Sequence, residues 1–128
     1  MQAPILSENM QLVEIDVFHN FVGFEDSSVL FRHEVAYVLG QLSHTASEAA
    51  LTARLQDTNE HPIVRHECAE ALGAIATDSC MNTLKDYLND PEPLVSESCE
   101  VALDMCDYSN SDEFQYANAL QHVEENVD

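Results

Sequence analysis

Phe31-Arg32-His33-Glu34-Val35-Ala36-Tyr37-Val38-Leu39-Gly40 returns 33 residues later as Val64-Arg65-His66-Glu67-Cys68-Ala69-Glu70-Ala71-Leu72-Gly73, with Arg, His, Glu, Ala, Leu and Gly in register. A third, looser copy begins at Val95 and keeps Cys99, Ala102 and Leu103 at matching places. Repetition at this period marks a stack of small helical units. Apolar residues fall at Phe31, Val35, Val38, Leu39 and Leu42, at Val64, Cys68, Ala71, Leu72 and Ile75, and at Val95, Cys99, Ala102, Leu103 and Cys106. Each series reads i, i+4, i+7, i+8, i+11, the stripe of an α-helix.

Working outward, shorter helices are expected at Ala46 to Leu55 and Ser79 to Leu88, the first capped by Ser47 or Thr45 and the second by Asp78 or Ser79. Thr58-Asn59-Glu60-His61-Pro62 and Asn89-Asp90-Pro91-Glu92-Pro93 break the helices, and proline readily opens the next one. The unit is helix, turn, helix, loop. The fold class is therefore all-α, a HEAT-like α-solenoid of about three helical-hairpin repeats. Residues 23–108 carry the repeats. Residues 1–22 form a divergent segment expected to be helical, and 109–128 an acidic C-terminal segment. An array that starts at Met1 should expose an apolar flank where a further repeat would pack.

On each repeated helix the apolar stripe centres about 25° from its first residue, and His33 and His66 project at about 200°, nearly opposite. Glu34 and Glu67 lie on the flank of that surface, with Gly40, Gly73, Ala36 and Ala69 beside it. Small residues there are expected to leave space for an ion and a substrate chain. Matched helices of neighbouring repeats run about 8–10 Å apart, a gap that imidazole and carboxylate side chains can span. Two His with one or two carboxylates suit Fe(II) with open positions better than a sealed structural zinc. A repeat duplication that binds no ligand is the competing account. The third copy carries Glu97-Ser98 at the equivalent place, so the His-Glu pair is local to two repeats. Arg32 and Arg65 are expected to hold carboxylates. His19, His44, His61 and His122 are read as surface residues, with His44 suited as a cation to a helix C-terminus.

The charge balance, four Lys and Arg against 24 Asp and Glu for a net −20, excludes nucleic acid as a partner and would steer a basic one inward. Plain solubility is the competing reading. No apolar run is long enough for a bilayer, and no secretory signal precedes residue 10, so the expected compartment is cytoplasmic. The four cysteines form no Cys-x-x-Cys. Cys68 and Cys99 sit on apolar helix positions as small core residues.

The strings from Leu30 to Leu42, from His61 to Ala76, from Ser96 to Met105 and the late Phe114-Gln115-Tyr116-Ala117 closely resemble deoxyhypusine hydroxylase, from about Gly23 to Leu120. The resemblance is to its C-terminal half. It implies oxygen-dependent hydroxylation of the deoxyhypusine side chain of translation initiation factor 5A, with molecular oxygen as co-substrate. It also implies a non-haem di-iron centre, Fe(2+) held between two halves of HEAT-like repeats with two His-Glu motifs each. By that likeness His33, Glu34, His66 and Glu67 are the metal set. The two His and Glu67 are expected to bind iron directly, while Glu34 either binds iron or acts catalytically by facing the substrate amine. The family has four such motifs and this chain has two. A second copy of the chain, or the missing N-terminal half, is the implied partner in completing the site. The alternative function is a non-catalytic acidic HEAT-repeat scaffold that binds proteins. A chromophore-lyase module of HEAT type is a third reading, and it does not call for paired His-Glu motifs.

Overall fold

In a computed structural model of the chain, residues 23–110 are described. They form five α-helices: α1 (Val29–Leu42), α2 (Glu48–Gln56), α3 (Pro62–Ile75), α4 (Asp78–Asp86) and α5 (Pro93–Ser109), with a 3₁₀ turn at Thr45–Ser47. No strand occurs among the described residues. α1, α3 and α5 pack side by side in one layer; α2 and α4 lie in the second, against α3 and α5. The described residues thus hold two helical hairpins and the first helix of a third, which is the α-solenoid. The expected helices near both termini lie outside the described residues. No described helix is long and apolar enough to cross a membrane.

Local chemistry sets the helix ends. Ser28 caps α1 by accepting from the Phe31 N–H, and Pro62 and Pro93 open α3 and α5. Ser43 and Ala76 close α1 and α3 in the left-handed region, at φ 51° and 58°. The cap of α4 is Thr77, whose hydroxyl accepts from the Cys80 N–H, not Asp78 or Ser79. Ser47 precedes α2 without a side-chain cap bond. His61 is more than a surface residue: its Nδ1 accepts from the Ile63 N–H and caps α3. His44 Nδ1 accepts from the Ala46 N–H in the same way and caps the 3₁₀ turn.

The core runs through α3. Leu51, Leu55, Val64, Cys68, Leu72, Cys80, Leu84, Val95, Cys99 and Cys106 are all inaccessible to solvent. All four cysteines are free and buried, and burial pushes the Cys99 thiol up to about 11, so they act as small core groups. α3 has neighbours on nearly every side and buries more than its stripe. α1 departs from the sequence expectation. Its buried residues are Ala36, Leu39 and Gly40, whereas Phe31, Val38 and Leu42 of the expected stripe are 50%, 50% and 53% exposed. The reason is position in the stack. Among the described residues α1 packs chiefly against α3, so its inward direction is rotated toward that neighbour.

The glycines also do something other than expected. A Cβ on Gly40 would stand 3.1 Å from both Cα and Cβ of Ala71, and one on Gly73 would stand 2.8 Å from Cβ of Ala102. Gly40, Gly73, Ala36 and Ala69 are buried where helices meet. Their small size admits a neighbouring helix, and the space is not left for an ion or substrate.

Candidate metal centre

Two steps beyond the first apolar residue of each copy the side chain points at about 200° around the helix, and three steps beyond at about 300°. In this stack the 200° side of one helix meets the 300° side of the next. His33 of α1 therefore reaches Glu67 of α3, Nε2 to Oε2 2.9 Å. One repeat later, His66 of α3 reaches Ser98 of α5, Nδ1 to Oγ 2.6 Å. The histidines lie in the seams between helices, about four-fifths buried, and not on the open face opposite the core.

Both imidazoles turn Nε2 toward one carboxylate oxygen. His66 Nε2 lies 3.7 Å from Glu67 Oε2, the oxygen that His33 approaches, and 3.8 Å from Glu70 Oε1. His66, Glu67 and Glu70 each offer a ligand atom within 4.8 Å of the others. Two donors that share an ion at 2.0–2.2 Å must lie about 2.8–4.4 Å apart. The three His–carboxylate distances, 2.9, 3.7 and 3.8 Å, fall in that window, and the donor types, imidazole nitrogen and carboxylate oxygen, fit a borderline-to-hard metal such as Fe(II). His33 Nδ1 is buried with no hydrogen-bond partner among the described residues, its nearest carboxylate being Glu34 Oε1 at 3.8 Å. Burial raises the Glu67 carboxyl above its ordinary value; the Glu70 charge adds to this, while His33 and His66 oppose it. A cation placed among these groups would offset that cost.

Of the four residues singled out by sequence, His33, His66 and Glu67 come together. Glu34 does not join them: its side chain is 59% exposed on the outer side of His33. Sequence reasoning missed Glu70 and Ser98. Glu70 had a signal, being four residues after His66 on the same helical face. Ser98 stands in the register of Glu67, but its contact with His66 exists only across the α3–α5 seam.

The arginines preceding the histidines hold the loops. Arg32 makes a two-pronged bond to Glu60, Nε to Oε2 2.9 Å and Nη2 to Oε1 2.7 Å, and Arg54 adds a third contact at 3.2 Å. Arg65 grips Asp90 at 2.6 and 3.1 Å and donates from Nε to the Leu55 carbonyl. Each pair ties a repeat helix to the loop before the next helix, which sets the register that brings His33 to Glu67 and His66 to Ser98.

A model of HEAT repeats matches residues 21–104. The chain belongs to the HEAT repeat family. The resemblance to deoxyhypusine hydroxylase is also borne out. The chain is 57% identical over 101 residues to the deoxyhypusine hydroxylase of Rattus norvegicus and 54% identical over 101 residues to that of Homo sapiens, in each case 79% of this chain and 33% of the relative. A solved structure of human deoxyhypusine hydroxylase in complex with glycerol matches with a TM-score of 0.69 and 53% identity, covering 72% of this chain and 32% of that one. The matched part is about a third of the length of the curated relatives.

Proposed function

We propose that this HEAT-repeat chain is a partial form of deoxyhypusine hydroxylase and supplies one side of an iron site that hydroxylates the deoxyhypusine side chain of translation initiation factor 5A. The observation that carries the reading is the convergence of His33 and His66 on the same Glu67 oxygen. In this reading His33, His66 and Glu67 hold Fe(II), with Glu70 beside them. Bound iron supplies the activation of molecular oxygen. The chain's own residues do the rest. Glu67 is held between two imidazoles by the register of α1 and α3, so the donors are placed before the metal arrives. Glu34, exposed at the rim, meets the substrate amine as a carboxylate. The acidic surface, net −20, draws in the cationic side chain. A second copy, or the part of the relatives this chain lacks, completes the site. The working compartment is the cytoplasm.

Iron content, solution mass and turnover of the deoxyhypusine form of factor 5A, measured on one sample, test this. His33→Ala and His66→Ala should each sharply reduce iron retention. Iron held at wild-type level by both variants would overturn shared ligation and leave an acidic scaffold, whose protein partner survives the double substitution.

A further inference from the structure

Ser98 lies in the third repeat, which has no His-Glu pair, and its hydroxyl makes two short contacts. Oγ stands 2.6 Å from the Leu94 carbonyl oxygen and 2.6 Å from His66 Nδ1. A hydroxyl has one proton. The carbonyl oxygen cannot donate, so at that distance the Ser98 proton must lie between the two oxygens. If it were turned toward His66 instead, two oxygens would face each other at 2.6 Å with nothing between them. The hydroxyl can then only accept from His66, so Nδ1 must carry a hydrogen. A neutral imidazole has a single N–H, which leaves the His66 Nε2 as an open lone pair. That lone pair is on the Glu67 and Glu70 side. Ser98 is itself nearly buried, so water does not readily replace it.

Resting on the iron reading above, we propose that Ser98 is a positioning residue: it locks His66 in the Nδ1–H tautomer and thereby presents Nε2 to the metal. An unconstrained neutral imidazole in water favours the opposite form, with the proton on Nε2. The third repeat has lost its own His-Glu pair and serves the second by fixing which nitrogen is free. Groups that orient a ligating histidine in this way typically change metal affinity 10–100-fold.

Long-range proton–nitrogen correlation spectra of the ¹⁵N-labelled, metal-free full chain, recorded at about pH 8, where imidazole is neutral, read the tautomer directly. His66 should carry its proton on Nδ1 in the wild type and shift toward Nε2–H in Ser98→Ala. Ser98→Thr, which keeps the hydroxyl, should restore the wild-type form. Anaerobic titration with Fe(II) should show binding about 10–100-fold weaker in Ser98→Ala and recovered in Ser98→Thr. Nε2–H in wild-type His66 would overturn the proposal, as would an unchanged tautomer in Ser98→Ala. Nδ1–H in a chain that takes up no Fe(II) would uphold the tautomer lock and sink the iron reading alone. Should Ser98→Ala fail to fold, the wild-type spectrum still decides.

Discussion

The α1–α3 seam and the α3–α5 seam are built to one plan and differ in one functional group. In each, a histidine meets the residue at the glutamate register of the next repeat, and an arginine clamps an acid in the loop before the next helix. In the first seam the histidine meets a carboxylate, which can carry charge and offer an oxygen donor. In the second it meets a hydroxyl, which brings no charge and, as proposed above, would set a proton position. The comparison teaches that the same register can carry a carboxylate or a hydroxyl against the same histidine position. The clamps differ as well. Arg65 and Asp90 are sealed, with side chains 3% and 5% exposed, whereas Arg32 at 15% keeps some water and Glu60 has Arg54 as a second partner.

The largest effect should come from breaking the sealed clamp. Asp90→Ala leaves Arg65 buried without its partner and should cost about 3–5 kcal/mol in urea unfolding. Glu60→Ala strands two arginines that can still reach water, and should cost less, about 1–3 kcal/mol. Equal losses would mean that the two seams are not differently sealed. The same clamp has a pH signature. Arg65 holds the Asp90 carboxyl below its ordinary 3.8, so the folded chain binds that proton less readily than the unfolded one. Its stabilisation is complete above the ordinary carboxylate range and is lost as pH falls through the depressed value. Urea midpoints between about pH 6 and 3 should fall less steeply in Asp90→Asn than in the wild type.

Helix spacing gives the next effect. Gly73→Ala pushes a methyl against the Cα and Cβ of Ala102 at 3.1 and 2.8 Å, where the nearest atoms belong to backbone or to a side chain that cannot turn away. It should destabilise by about 1–3 kcal/mol. Gly40→Ala meets Ala71 at 3.1 Å, and the better helix propensity of alanine, worth about 1 kcal/mol, should offset much of the strain. Thermal unfolding of both variants checks the order; a milder Gly73 variant would mean that the second seam is the looser one.

The smallest effect concerns the two left-handed caps. Ala76→Gly relieves a side chain held at φ 58° and should stabilise by about 0.5–1 kcal/mol. Ser43→Gly should gain less, because it gives up the 2.8 Å bond from Ser43 Oγ to the Gly40 carbonyl. A larger gain at Ser43 would show that this bond contributes little.

Much of this was legible in the residues alone. The repeat of Arg-His-Glu at a spacing of 33 marked the helical stack and the equivalent register of His33 and His66, because units of one sequence stack in one way. The prolines and polar loops placed the helix boundaries to within a few residues. Only the tertiary structure decided which way each helix turns. Phe31, Val38 and Leu42 have the same spacing as their buried counterparts and are half exposed, since among the described residues α1 packs chiefly against α3. Periodicity reports directions around one axis, whereas contacts depend on what stands opposite. For that reason Gly40 and Gly73 proved to be helix contacts, Glu34 fell outside the cluster, and Ser98 became visible as a neighbour of His66 only once the helices were set side by side.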